Sequence, residues 1–290
     1  RTTTGTHRRA SGYVHQHHGQ IRQVGEKYTP PRHAIRSMRG TTDRIALDIH
    51  VHSDASYDGH EPIELVLEHA ADIGLDGVVI TDHDRIEASR EAAKLAPEFG
   101  LTGIPGVEVS TEHGHLLAVG VEERPPAGKP FDETVHRIRE FGGAAVVPHP
   151  FQRTRHGVRK RNVTDCDAIE TYNSMLFTGY QNRRARRFAR ARGYAEVGGS
   201  DAHHLMNVGR AVTVVDLEDP VERVGDVAID QVVDALRAGR TRVHGMRTPV
   251  HRSAIQYGVG ATRKVAYLLT SRLPYVRPRP RAVAEFMAEN

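Results

Sequence analysis

The chain has 290 residues, a formal net charge of +4 and a single cysteine, Cys166. One cysteine excludes an intrachain disulfide and favours a reducing, cytoplasmic compartment over a secreted scaffold. The apolar runs are far shorter than the roughly 18 residues that a membrane-spanning helix needs, so no membrane association is expected.

The first 43 residues differ in composition from the rest of the chain. Residues 1–43 are rich in Arg, His, Thr and Gly and have almost no aliphatic periodicity, which predicts a disordered basic segment. Nine basic and two acidic residues precede Ile45, so the remainder of the chain carries a small negative balance. The His-rich part of this segment is not expected to form a specific metal site, because no predicted element surrounds it.

From Ile45 short apolar runs alternate with amphipathic stretches, which is the pattern of repeated β-α units. The predicted strands are 45–51, 77–81, 101–109, 115–121, 144–147, 167–172, 195–199 and 211–216. The predicted helices are 62–73, 86–95, 132–141, 179–192 and 229–237. This alternation predicts one compact α/β domain over residues 44–240.

Two parts of the chain are strongly basic. The helix predicted over 179–192 carries six arginines, for which a solvated outer face is the favoured interpretation and anion binding the alternative. Residues 241–290 are predicted to form a helical, basic C-terminal extension, in which no acidic residue precedes Glu285. A stretch of one charge sign is typical of proteins that bind polyanions, although a solvated surface without a partner is equally compatible.

Residues that can bind metals follow the first two predicted strands. His50 and His52 are alternate residues of one strand, so both imidazoles point to the same side and can hold one ion. Asp58 follows in a polar turn, and His83 lies at the end of the second strand. The neighbours of His83 are interpreted differently: Asp84 as a helix N-cap and Asp82 as a support for an imidazole.

Later strand ends repeat this pattern. Glu108 is an acidic residue among apolar neighbours, and a position bridging two ions would explain its burial. His115 begins a strand, His149 lies between two prolines, and Asp201 and His203 follow two glycines. Each histidine alone would be interpreted as a surface or core residue, but their recurrence at strand ends predicts a shared metal site at one rim of the fold.

Together these segments resemble the motifs of the PHP (polymerase and histidinol phosphatase) superfamily over about residues 45–216. The segments that carry the resemblance are 48–53, 81–84, 106–108, 115–117, 148–150 and 199–203. The resemblance implies an α/β fold, a distorted seven-stranded (β/α) TIM-like barrel, with about two to three divalent ions at the carboxyl ends of the strands. It implies a first ion held by His50, His52, Glu108 and Asp201, a second shared by Glu108 with His115 and His149, and a third held by Asp58, His83 and His203.

Such a site favours metal-dependent hydrolysis of phosphoesters. Paired ions can share an activated water, which is expected at Glu108 and Asp201. The mixture of imidazoles and carboxylates suits Zn, Mn or Fe. Arg153, Arg155 and Asn173 are predicted to contact the substrate phosphate. A nucleotide, a short oligonucleotide or another small phosphorylated metabolite is the expected substrate, because the basic tail favours ligands rich in phosphate.

Three alternatives remain open from the sequence. A histidinol-phosphate-type phosphatase is compatible with the same motifs. A metal-dependent amidohydrolase would use the same ions to attack a carbonyl and would act on acyl substrates rather than aryl phosphates. An accessory module in DNA replication or repair would tolerate lost ligands, whereas all nine ligand positions are filled here.

Overall fold

The computed structural model describes residues 41–176, 178–249, 251 and 262. Within these ranges the strands form two sheets. The strands are β1 (Thr42–Val51), β2 (Gly77–Ile80), β3 (Gly106–Thr111), β4 (Gly114–Val119), β5 (Ala144–Val147), β6 (Ala168–Asn173), β7 (Ala195–Gly199), β8 (Ala211–Val221) and β9 (Thr241–Gly245). The helices are α1 (Ile63–Ile73), α2 (Glu87–Leu95), α3 (Phe131–Glu140), α4 (Gly179–Arg192) and α5 (Ile229–Arg237).

The first sheet has the strand order β2-β1-β8-β9. Its central strand β1 pairs in parallel with β2 and antiparallel with β8. Ile45, Leu47 and Ile49 of β1 are fully buried in a core cluster that also contains Leu236 of α5. Alternate residues of β1, including Asp48 and His50, are buried on the opposite side, so the strand is covered on both faces.

The second sheet has the order β3-β4-β5-β6-β7, and isolated bridges connect the two sheets, two of them beside the predicted ligands. Val51, the last residue of β1, bridges to Ala202 after β7, and His83 after β2 bridges to Glu108 of β3. Both junctions therefore lie among residues that were predicted to bind metal.

The α/β class predicted from the sequence is confirmed, but the closed seven-stranded barrel is not. Among the described residues the strands form two sheets, and no closed barrel is found. Strand direction also departs from that of a parallel barrel: β4 runs antiparallel between β3 and β5, and β8 runs antiparallel to both β1 and β9. A barrel of uniformly parallel strands would need the same direction throughout.

The helices begin and end where local residues favour it. Pro62 precedes α1, whose end is set by Gly74 in the left-handed region with a φ of 87°. Gly193 ends α4 in the same way with a φ of 73°. Among the described helices, none has the length and hydropathy that crossing a bilayer requires.

The chain beyond residue 240 begins with a strand that the sequence did not predict. β9 pairs antiparallel with β8, with Thr241 opposite Val215 and Gly245 opposite Ala211. The limits of the three predicted regions, 1–43, 44–240 and 241–290, remain predictions. Residues 1–40, and the extension beyond 249 apart from residues 251 and 262, lie outside the described residues.

Candidate metal centre

His50 of β1 and His52, which directly follows this strand, lie at the junction of the two sheets. Their side chains are 0% and 1% exposed. As strand alternation predicts, both rings face the same space: Nε2 of His50 and Nε2 of His52 lie 3.3 and 3.2 Å from Oε2 of Glu108. Each of these nitrogens also lies 3.6 Å from Oδ1 of Asp201. Two carboxylates from distant parts of the chain thus meet two imidazoles at the end of β1.

Glu108 of β3 lies at the middle of the cluster and is 1% exposed. Ring nitrogens within 3.4 Å of its carboxylate oxygens belong to His50, His52, His83, His115 and His149. Burial disfavours the ionised carboxylate, but the neighbouring histidines, His83 and His115 first, hold the pKa of Glu108 well below its usual value. Glu108 is therefore a carboxylate that is charged, buried and surrounded by imidazoles.

The two oxygens of Glu108 face different histidines. Oε1 lies 2.7 Å from Nδ1 of His115 and 3.1 Å from Nε2 of His149, whereas Oε2 faces His50 and His52. A carboxylate whose two oxygens face different histidines can bind a separate ion through each oxygen. This is the geometry that a bridge between two ions requires.

Asp58, His83 and His203 form the remaining part of the cluster. Oδ2 of Asp58 lies 3.3 Å from Nε2 of His83 and 3.1 Å from Nε2 of His203. Burial would raise the pKa of Asp58, but its contacts with His203 and His83 hold it well below its usual value. The ring of His52 lies next to both histidines, at centroid distances of 4.8 and 4.3 Å, so this group is continuous with the one around Glu108.

The donor set fits divalent cations. Among the described residues, both ring nitrogens of His52 and Nδ1 of His83 and of His149 are buried without a hydrogen-bond partner. Burying an unpaired polar atom is unfavourable, and a coordinated cation would compensate for it. Five sets of three residues each offer donor atoms that lie within 4.8 Å of one another inside the set. The sets are His50, His149 and Asp201; His50, His52 and Glu108; His52, Asp201 and His203; His52, Asp58 and His83; and His83, Glu108 and His115.

Several of these residues have unusual backbone conformations. His149 and Asp201 have positive φ angles of 30° and 56°, and Phe151 and His156 in the loop after His149 have values of 69° and 54°. Residues other than glycine seldom adopt this region, and such strain concentrates at functional sites. The surrounding fold therefore holds these segments in conformations that serve the cluster.

Sequence reasoning missed Glu170, which supports two of the candidate ligands. Glu170 is fully buried in β6; its Oε1 lies 3.1 Å from Nδ1 of His50, and its Oε2 accepts the backbone N–H of His149 at 2.6 Å. Although burial opposes ionisation, the charge of His50 lowers the pKa of Glu170. An acidic residue inside an apolar strand is the signal that could have identified it.

Asp82 and Asp84 differ from their predicted roles. Asp82 accepts hydrogen bonds from the backbone N–H and the hydroxyl of Ser53, at 2.7 and 2.6 Å, rather than from an imidazole. Burial raises the pKa of Asp82 to about 6. Asp84 accepts the backbone N–H of Ser110 at 2.8 Å, and α2 begins after Ile86 without a side-chain cap, so the N-cap interpretation was wrong. Asp82 thus fixes the segment just after His52, and Asp84 fixes β3 just beyond Glu108.

The three residues predicted to contact substrate have different surroundings. Nδ2 of Asn173 donates to Oδ2 of Asp201 and to Oε2 of Glu170, each at 3.0 Å, so this side chain holds two carboxylates in place. The guanidinium of Arg155 contacts the carboxylate of Asp201 and is 11% exposed. Arg153 lies in a 3-10 turn, and its side chain is outside what the structure describes. Contact with substrate remains a prediction for all three.

Two family models match the chain, the PHP domain over residues 48–183 and a PHP-associated region over residues 179–241. An uncharacterized protein of Methanocaldococcus jannaschii is 31% identical over 149 residues, which span 48% of this chain and 87% of that protein. The phosphoribosyl 1,2-cyclic phosphate 1,2-diphosphodiesterase of Eggerthella lenta is 41% identical over 86 residues, or 28% of this chain and 32% of that enzyme.

One solved structure supports the fold independently of close sequence similarity. A two-domain protein of Bacteroides vulgatus, described as containing a predicted PHP-like metal-dependent phosphoesterase, has a TM-score of 0.60 and 18% sequence identity. The similarity covers 77% of this chain and 72% of that protein. At this level of identity the match supports the arrangement of strands and helices described above.

Proposed function

Because the chain belongs to the PHP family, we propose that it hydrolyses phosphoesters with divalent metal ions as cofactors, on a nucleotide, a short oligonucleotide or another small phosphorylated metabolite. The observation that carries the proposal is the convergence of nine imidazole and carboxylate side chains in one cluster, with Glu108 at its middle. The match to a phosphodiesterase of Eggerthella lenta over a third of that enzyme supports the reaction class.

We assign the nine side chains as metal ligands. They are His50, His52, Asp58, His83, Glu108, His115, His149, Asp201 and His203. Divalent ions at such a site supply Lewis acidity and make water nucleophilic near neutral pH. Zn, Mn and Fe are compatible with mixed imidazole and carboxylate donors.

The protein's own side chains orient this site and neutralise substrate charge. Glu170 fixes the ring of His50 through Nδ1, which directs Nε2 towards Glu108. Asn173 fixes the carboxylate of Asp201. Arg155 presents a guanidinium next to Asp201, where it can donate to the oxygens of a phosphoryl group that carries negative charge.

A chelation experiment tests the proposal. Purified protein should hydrolyse p-nitrophenyl phosphate or its bis ester, lose the activity with a chelator, and recover it when Mn or Zn is added. His50→Ala and Asp201→Ala should each lower kcat/KM by at least about 100-fold, since removing even an outer support of a ligand costs 10- to 100-fold. His136→Ala on the exposed face of α3, where the side chain is 75% exposed, is the matched control.

Two outcomes would contradict the proposal. Hydrolysis that survives both chelation and the two ligand substitutions would show that the cluster is not the catalytic centre. Metal-dependent turnover of acyl esters or amides, with none of phosphoesters, would favour an amidohydrolase in its place.

A further inference from the structure

The outer face of α4 is a basic surface that the metal centre does not explain. It consists of Tyr180, Arg183, Arg184 and Arg187, which we call the α4 arginine face. Their spacing of three, four and seven residues places them on one side of the helix. All four are exposed, Tyr180 by 59%. The opposite side of α4 is buried through Asn182, Ala185, Phe188 and Ala189.

The charges of this face are not compensated by the protein. α4 contains no acidic residue. In the part of the chain that the structure describes, Arg186 and Arg190 pair with Glu196, whereas Arg183, Arg184 and Arg187 form no ion pair. Three uncompensated guanidinium groups on consecutive turns form an attractive surface for a polyanion.

The α4 arginine face begins next to the metal centre. Oδ1 of Asn182 accepts the backbone N–H of Asn173 and its Nδ2 donates to the carbonyl of Asn173, each at 3.1 Å. The side chain of the same Asn173 contacts Asp201 in the cluster. The guanidinium of Arg184 lies 4.8 Å above the ring of Phe151, two residues after His149. The basic surface and the metal ligands thus share supporting residues.

The combination of side chains indicates which polyanion fits. Arginine donates two parallel hydrogen bonds to phosphate, and the stacking of Arg184 on Phe151 leaves the N–H groups at the edge of its guanidinium for such contacts. An exposed aromatic ring beside the arginines can stack on an unpaired base. The segment 250–290 is a poor occupant, because it contains seven basic and two acidic residues and would be repelled.

We propose that the α4 arginine face binds the sugar-phosphate backbone of a single-stranded nucleic acid, with Tyr180 stacked on a base, and guides a phosphodiester to the metal centre. The proposal rests on the proposed phosphoester hydrolysis and specifies its substrate class. It requires no further cofactor, since binding involves only hydrogen bonds, charge and stacking.

Fluorescence anisotropy with a labelled oligothymidylate of about 12 nucleotides tests it, in chelator so that the strand stays intact. The triple variant Arg183→Gln, Arg184→Gln and Arg187→Gln should bind at least about tenfold more weakly than the unmodified protein. The slope of log K against log salt, between about 50 and 200 mM, should become less steep by about 2, because each lost phosphate contact contributes about 0.7. Tyr180→Leu should weaken binding about fivefold or more and leave the slope unchanged.

The control variant Arg90→Gln, Lys94→Gln and Arg223→Gln removes the same charge from other exposed positions and should keep both affinity and slope. The proposal is overturned if the unmodified protein does not bind the strand, if the triple variant binds as well as the control, or if vesicles of phosphatidylserine compete fully for the same face. Hydrolysis of an aryl phosphate is measured on the same preparation. Its absence, with α4-dependent binding retained, would contradict the proposed function and leave the nucleic-acid surface standing.

Discussion

Single buried carboxylates decide how the candidate ligands are oriented. Glu170 illustrates this, because it contacts the ring of His50, the backbone of His149 and the side chain of Asn173 without belonging to the cluster itself. A histidine that binds a metal through one nitrogen needs a partner on the other nitrogen to fix its ring. The geometry therefore assigns Glu170 the role of positioning residue.

Glu170→Gln should lower metal affinity by about 10- to 100-fold while the protein stays folded, since the amide keeps the shape of the side chain but loses its charge. Competition with a chromophoric chelator measures the affinity, and circular dichroism checks the fold. Glu133→Gln, on α3 with the side chain 51% exposed, should behave like the unmodified protein. Equal metal affinity in the Glu170 and Glu133 variants would show that Glu170 does not position His50.

Most of the nine ligand candidates could be predicted from the sequence because they lie at or near the ends of apolar runs, although Glu108 lies inside β3 and Asp58 lies in the turn after β1. Glu170 could not be found in that way, since it lies inside β6 and its partners are 21 and 120 positions away. The roles of Asp82 and Asp84 were misassigned for a related reason. Local spacing predicts a cap or a ring contact, whereas the actual donors are Ser53, just after β1, and Ser110 of β3.

Close packing of β7 on β1 depends on one glycine. A Cβ added at Gly199 would lie 2.5 Å from Cβ of His50 and 2.6 Å from Oε1 of Glu170, so no side chain fits between the strand and the metal centre. The second glycine of the Gly198-Gly199 pair is therefore needed for the approach of two elements and not for a turn.

Gly199→Ala should lower the free energy of unfolding by about 1–3 kcal/mol, which is typical of overpacking in a buried site, and should also weaken metal binding. Thermal and urea denaturation followed by circular dichroism measure the first effect. Gly225→Ala is the control, because an added Cβ there meets its nearest neighbour, the carbonyl oxygen of Leu101, at an ordinary 3.7 Å. Similar stability of the two variants would contradict the packing argument.

Most strands and helices were predictable because the apolar periodicity of the body is regular, and α4 begins and ends at the predicted residues. β9 was missed because its residues are only half-buried or exposed, which leaves little apolar signal in a five-residue segment. Local sequence patterns could not predict the direction of the strands either. The antiparallel pairing of β8 with β1 joins residues about 170 positions apart.

For the whole molecule, the metal centre lies where two sheets meet. The bridges between Val51 and Ala202 and between His83 and Glu108 join the sheets at the same place where the ligands converge. Folding therefore brings the donor set together, and bound ions would stabilise the native state by mass action. The resemblance implied a closed barrel, which the strands of the described residues do not form.

Metal content per chain tests the central claim most directly. Inductively coupled plasma mass spectrometry of protein purified without chelator should find about two to three equivalents of divalent transition metal. Glu108→Gln, which alters the one carboxylate shared by five histidines, should retain less than about one equivalent, whereas His136→Asn should match the unmodified protein. An unmodified protein that retains no metal, or a Glu108 variant with undiminished content, would contradict the account.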